Sequence, residues 1–370
     1  MSKKTKRIIG IIISLAIVAA LCGGAVGIQY IFQFGGERSR EIWTGLDEFK
    51  LDYCQSIEMR AGAEDFRVLQ ITDIQMNFSR KTDNAAFDLI EKLVDETKPD
   101  LIIMTGDNVA GLINGMNARR LVKFMDSLGV KYAPVLGNHD GEGLWNSEVI
   151  GDIFAGGINS LFKKGPGNIR GVGNYVINVT KDGEVVYSLI AMDSNRYRDY
   201  PEDMSGYVTY NGSGYDCIYP DQIAWYEWVV KGLNRVCERE VDNLVFMHIP
   251  LVQYIDLLSG WDLGKDGPMN GNNLGLFEDG LYRDGIGSGR VDTGMFAKAL
   301  ELGCTRAFVS GHEHTNNFIA VYKGSGIYLE YGTKTGRNSY SDADMQGGTL
   351  ITIKSGEPYP IFKIIYESSL

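Results

Sequence analysis

From residue 66 onward, short apolar runs alternate with stretches whose apolar residues recur at helical spacing, which restricts the chain to a layered α/β architecture. Residues 66–71 (FRVLQI) read as a buried strand. Residues 83–96 place Ala86, Leu89, Ile90, Leu93 and Val94 on one helical face, and this helix ends before Lys98-Pro99. The run 101–104 (LIIM), a helical stretch at 117–128 and the run 132–136 (YAPVL) complete a β-α-β-α-β opening. The theme continues through 185–192, a helix over 221–234, 244–247 (LVFM), a helix over 292–302 and 307–309 (AFV), and β-like stretches at 317–331 and 349–366 close the domain. Two segments rich in Gly, Asn, Asp and Tyr, 195–220 and 255–290, break the alternation. Loops that long inside a compact domain are usually functional or disordered.

The amino terminus has a different character. Residues 8–34 carry no charged side chain, follow the basic run KKTKR and precede Glu37, Arg38 and Arg40. A bilayer core is spanned by about 20 apolar helical residues, so this segment reads as an N-terminal transmembrane signal-anchor, or as a signal peptide removed on export. Cations prefer the cytoplasmic side, which places residues 1–7 inside and the remaining chain outside, single-pass on the cell membrane or secreted after cleavage. Residues 35–64 read as a spacer and lead-in, and residues 65–370 as the working domain. A net charge of −11 with no basic footprint argues against a nucleic-acid partner. The cysteines, Cys22, Cys54, Cys217, Cys237 and Cys304, form no C-x-x-C pair, which removes zinc ribbons and thioredoxin-type redox chemistry. Pairing among the last four stays open.

All four histidines directly follow apolar runs, in LGNHDG (His139), VFMHIP (His248) and VSGHEHTN (His312 and His314). Two more run ends carry acids, ITDIQ (Asp73) and MTGDN (Asp107). One Asp after a strand is ordinarily a cap or turn residue, and one His a satisfied structural group. Every histidine of the chain in such a position is a different matter, because the carboxyl edge of an α/β sheet is where ligands bind. His312 and His314, two apart on an extended segment, point the same way. Asp, Asn and His without thiolate suit Zn, Mn, Fe or Co, and the set is large enough for two ions sharing a bridging carboxylate. Two metals about 3.5–4 Å apart activate water and clamp the oxygens of an in-line phosphoryl displacement. Competing signatures (G-x-S-x-G, the P-loop, H-E-x-x-H) are absent.

The ordered series Asp73-Ile74-Gln75, Gly106-Asp107-Asn108, Gly137-Asn138-His139-Asp140, His248 and Gly311-His312-Glu313-His314 resembles the calcineurin-like metallophosphoesterase superfamily over about residues 65–340. Segments such as MDSNRY, DQIAWYEWV, SGHEHTNNF and LEYGTKTG are most similar to its purple-acid-phosphatase-like branch. The resemblance implies a four-layer α/β/β/α sandwich and two transition-metal ions of Mn, Fe, Zn or Co. It puts Asp73, Asp107 and His314 on one ion and Asp107, Asn138, His248 and His312 on the other, with Asp107 as the bridge. His139 then faces the substrate, and Asp140 is a candidate orienter of its ring. Where the family carries D-x-H, this chain has Gln75, so an amide replaces an imidazole among the metal ligands, and the first ion is expected either to be held loosely or to be Mn or Fe in preference to Zn. Ala110 replaces the iron-binding Tyr of true purple acid phosphatases, so no purple colour is expected. Arg196 and Arg337 are candidate phosphate contacts, although a surface role is the simpler reading, and Tyr197, Tyr200, Tyr207, Tyr210 and Tyr215 are candidates for lining a cleft or packing a loop. The implied function is an exported, membrane-anchored phosphohydrolase acting by metal-hydroxide attack on a phosphomonoester or phosphodiester of unspecified identity. The alternative is a weakened relative that binds a phosphorylated ligand at the cell surface.

Overall fold

The computed structural model describes residues 40–199, 213–258, 265–266, 275–322 and 324–370. The segment 8–34, expected to span a membrane, lies outside the described residues. Among those residues, no helix is long and apolar enough to cross a membrane.

In chain order the first half contains β1 (Gln55–Glu58), β2 (Asp65–Ile71), α1 (Arg80–Thr97), β3 (Leu101–Thr105), α2 (Asn114–Ser127), β4 (Lys131–Val135), α3 (Ser147–Ala155), β5 (Tyr175–Lys181), β6 (Glu184–Ala191) and β7 (Tyr197–Asp199). The second half contains β8 (Ser213–Tyr215), α4 (Pro220–Val236), β9 (Asn243–Phe246), α5 (Gln253–Leu258), β10 (Lys265–Asp266), β11 (Gly275–Tyr282), α6 (Met295–Leu302), β12 (Thr305–Ser310), β13 (Asn316–Tyr322), β14 (Ile327–Tyr331), β15 (Gly347–Lys354) and β16 (Ile361–Tyr366). A small sheet has the order β16-β15-β2-β3-β4, and a large one the order β1-β5-β6-β9-β12-β14-β13-β11-β10. Strands β2, β3 and β4 are parallel, as are β6, β9, β12 and β14, so both sheets present carboxyl ends at one edge.

Alternation along single strands shows the layering. Leu244 and Phe246 of β9 pack into the core shared with the small sheet, whereas Val245 and the following Met247 pack with Trp225, Val229, Phe296 and Ala299 of α4 and α6. The period of two sends successive side chains to opposite faces, so the large sheet is buried on both. On the small sheet, Ala86, Leu89, Ile90 and Leu93 of α1 and Ala118, Leu121 and Met125 of α2 form the outer cover. The architecture is therefore helix, sheet, sheet, helix, as the sequence implied.

Several details differ from the sequence reading. The lead-in belongs to the fold: β1 pairs in parallel with β5, and Phe49 is buried against Gly232 of α4. Helix α3 leaves little periodic signal in the sequence, because it is nine residues long and its buried face is only Ile150, Gly151 and Phe154. The two interrupting segments hold the β7–β8 hairpin, α5, β10 and the eight-residue β11, which pairs antiparallel with β13. Helix α6 starts at Met295 rather than 292, because Asp292 accepts a hydrogen bond from the Gly294 amide and Gly294 is left-handed (φ 91°). Cys54, Cys217, Cys237 and Cys304 are all free thiols.

Candidate metal centre

The strand ends deliver the side chains. Asp73 stands two residues beyond β2, Asp107 two beyond β3, Asn138 three beyond β4, His248 two beyond β9 and His312 two beyond β12. Because β2, β3 and β4 belong to one sheet and β9 and β12 to the other, the centre is assembled by the packing of the sheets and not by either alone.

The backbone is bent sharply there. Asp73 (φ 53°), Gln75 (φ 48°), Asp107 (φ 49°) and His312 (φ 98°) all adopt positive φ, a costly choice for residues with a Cβ and one that clusters at functional sites. Two glycines let the chains meet. A Cβ on Gly106, itself at φ 93°, would lie 2.4 Å from His248 Nδ1, and one on Gly137 would lie 2.2 Å from the Asp107 amide nitrogen.

Four donors of the larger half converge on one spot. His248 Nε2 is 3.4 Å from Asp107 Oδ2, 3.1 Å from Asn138 Oδ1 and 3.2 Å from His312 Nδ1. Ligand atoms of Asp107, His248 and His312 all lie within 4.8 Å of one another. The second nitrogen of His248 donates to the Thr105 carbonyl at 2.8 Å, which fixes the ring and leaves Nε2 facing the cluster. Asn138 donates its amide nitrogen to the Tyr197 hydroxyl at 2.9 Å, so its oxygen is turned inward. Burial, reinforced by His248, holds His312 at a pKa of about 3, so it is a neutral imidazole. A carboxylate, an amide oxygen and two imidazoles facing one another fit a transition-metal ion.

The smaller half has Asp73 and His314. His314 donates from Nδ1 to the Tyr340 carbonyl at 2.9 Å and points Nε2 at Asp73 Oδ1, 3.4 Å away. Asp73 Oδ1 is buried and accepts no hydrogen bond, an orphaned oxygen that a cation would satisfy. Burial opposes ionisation of Asp73, but His314, His248 and Lys334 outweigh it and hold its carboxyl well below the usual range. Asp107 meets the larger half through Oδ2, 3.4 Å from His248 Nε2; Oδ2 also accepts from Gln75 Nε2 at 3.2 Å, and Oδ1 accepts from the His139 amide at 2.8 Å.

Two expected residues take other roles. Gln75, expected among the metal ligands, turns its oxygen to Lys334 Nζ at 3.2 Å and its nitrogen to Asp107. An ammonium only donates, so the amide orientation is dictated and Gln75 presents N–H to the centre in place of a lone pair. Asp140, expected to orient the His139 ring, is buried and accepts from the amides of Gly137 (2.7 Å) and Val109 (2.9 Å) and from Asn108 Nδ2 (3.1 Å). It ties the two ligand loops together. The partner of the ring is Glu142, whose Oε2 is 2.5 Å from His139 Nδ1. Burial works against the imidazolium, but the hydrogen bond to Glu142 and the Asp107 charge prevail, and the His139 pKa is raised.

His139 is the partly open member of the cluster, with its side chain 36% exposed and Nε2 3.9 Å from Asp107 Oδ2. Tyr197 stacks on Tyr215 at 5.9 Å, and Tyr215 meets His312 edge-on at 4.3 Å, so these two line the mouth. Tyr200, Tyr207 and Tyr210 lie outside the described residues. Arg196 props the ligand loop, donating to the carbonyls of Asn138 (2.9 Å) and Gly141 (3.0 Å), and Arg337 is paired with Glu367. Sequence reasoning missed Glu142 and Lys334. The former had a local signal, an acid three residues after a turn histidine; the latter lies in the family-like segment LEYGTKTG, where nothing local marks it as buried.

The calcineurin-like phosphoesterase family profile matches residues 66–316. The Arabidopsis thaliana protein named probable inactive purple acid phosphatase 14 is 25% identical over 310 residues, covering 74% of this chain and 71% of its own. Phosphatase DCR2 of Saccharomyces cerevisiae is 24% identical over 304 residues, covering 77% of this chain and 46% of its own. Among solved structures, a dimetal phosphatase from Danio rerio aligns with a TM-score of 0.44 at 13% identity, over 80% of this chain and 98% of that one.

Proposed function

Because the chain belongs to the calcineurin-like phosphoesterase family, we propose that it is a metal-dependent phosphohydrolase, exported and anchored by residues 8–34, that cleaves a phosphomonoester or phosphodiester with water. The observation that carries this reading is the convergence of Asp107, Asn138, His248 and His312 on one spot, flanked by Asp73 and His314, with the half-open His139 beside them. Asp107, Asn138, His248 and His312 would hold one ion, and Asp73, His314 and Asp107 a second. Bound there, such ions supply an activated water and charge neutralisation for phosphoryl oxygens.

The chain's own residues do the rest. Asp107 would be shared by the two ions and, through the His139 amide, fixes that residue against the centre. Glu142 holds Nδ1 of His139, which leaves Nε2 as the atom that meets the substrate. As the water oxygen bonds to phosphorus and the ester P–O bond breaks, Nε2 gives its proton to the departing oxygen, and the proton that the water sheds restores the imidazolium. Tyr197 keeps the Asn138 oxygen turned inward and walls the mouth. Export is supported by the uncharged run at 8–34 behind a basic start.

A second reading, a surface protein that binds a phosphorylated ligand without turnover, is favoured by the Gln75–Lys334 contact and by the word inactive in the name of the Arabidopsis relative. The test is hydrolysis of p-nitrophenyl phosphate and bis-p-nitrophenyl phosphate by the full-length chain, stripped of metal and reconstituted with Mn, Fe, Zn or Co. Turnover that needs metal and is lost in Asp107→Asn is the expected result. Metal bound without turnover on either ester would favour the binding protein.

A further inference from the structure

Lys334 is 1% exposed, yet its Nζ stands beside the smaller half of the centre, donating to the Asp73 backbone carbonyl at 2.9 Å and to Gln75 Oε1 at 3.2 Å. The backbone pins it there. Thr72 and Lys334 form a parallel bridge, the Thr335 amide donates to the Thr72 carbonyl at 3.0 Å, and the Gly347 amide donates to the Lys334 carbonyl at 3.1 Å. Burial opposes the ammonium and pushes its pKa down to about 8, while the carboxylates of Asp73 and Asp107, beyond ion-pair distance, favour it.

Two consequences follow for cation binding. The Gln75 oxygen, the one atom by which that residue could ligate, is already engaged by Nζ. An ammonium held there by these contacts also disfavours an ion at Asp73 and His314, the half with fewer donors, while the Asp107–Asn138–His248–His312 half keeps its complete set. Resting on the reading of this cluster as a metal centre, we propose that Lys334 is a built-in cation beside the place of the second ion, so that the chain holds one metal tightly and a second only weakly.

Metal content of the full-length protein after chelation and equilibrium dialysis against graded Mn²⁺ tests this, read by elemental analysis. Wild type is expected to keep one equivalent, with the second appearing only at much higher concentration. Lys334→Met removes the charge at similar length, and its second equivalent is expected to tighten by about tenfold or more. Lys334→Gln serves as a second neutral variant, and circular dichroism shows that each is folded. The Mn²⁺ electron paramagnetic resonance spectrum of wild type needs no variant: an isolated-ion signal at one equivalent, with no exchange-coupled pair, is the expected result. Two equivalents of like affinity in wild type, or an unchanged second affinity in both folded variants, would overturn the proposal and leave the phosphohydrolase reading standing. No metal in any variant would instead overturn the metal-centre reading on which it rests.

Discussion

His139, Asp140 and Glu142 share one turn and have three separate tasks. Asp140 points inward to the amides of Gly137 and Val109, so it holds the loops, while His139 and Glu142 face the open side and hold each other. Adjacent side chains in a turn diverge, which is why proximity in sequence suggested Asp140 and the structure selects Glu142. His139→Ala is expected to lower turnover by roughly 10²–10⁴-fold with metal content intact, because its ring is absent from the converging ligand set. Glu142→Gln keeps the ring and weakens its anchor, so a smaller fall, on the order of tenfold, is expected in kcat, again without metal loss. Metal loss in either variant, measured alongside the rates, would place His139 among the ligands instead.

Strands and their terminal turns build the centre, and they were also the most legible elements. Apolar runs ending in Asp73, Asp107, Asn138, His248 and His312 could be read directly because buried strands are continuous in sequence and the ligating residue types are few. Lys334 could not be read, since it meets Gln75 across 259 positions and nothing local marks a lysine that will be buried. The β7–β8 and β11 strands were hidden by Gly- and Asn-rich composition, and β1 by its four-residue length at a sheet edge. The turns also impose a steric demand. Gly137→Ala would set a methyl group 2.2 Å from the Asp107 amide nitrogen and 2.3 Å from Asp107 Oδ1. It is expected to destabilise the fold and abolish metal retention together; wild-type metal content in that variant would show that the two loops are not held as tightly as described.

At the scale of the whole molecule, two sheets pressed face to face trap polar groups between them, and Glu330 on β14 is the strongest case. Burial pushes its carboxyl from an ordinary 4.5 to about 8, against the milder pull of Thr349 and Gln70. The folded protein therefore keeps a proton that the unfolded chain releases above 4.5, so stability falls as pH rises from 4.5 towards 8, by at most about 1.4 kcal/mol per pH unit. Glu330→Gln, a neutral isostere whose amide can donate to the unpartnered Gln70 Oε1, is expected to flatten that slope and raise the melting temperature at pH 8. An unchanged pH–stability curve would show that the carboxyl is ionised in the fold. The same face-to-face packing joins carboxyl ends from both sheets into one centre, whose expected chemistry is metal-dependent phosphoester hydrolysis. The most direct measurement is a titration of the metal-stripped, full-length chain with Mn²⁺, following bound metal and p-nitrophenyl phosphate hydrolysis in the same sample. Turnover that rises in step with the first bound equivalent, and is missing in Asp107→Asn, is the predicted result. A folded chain that binds the ion and releases no product, or that releases product equally well without it, would contradict the account.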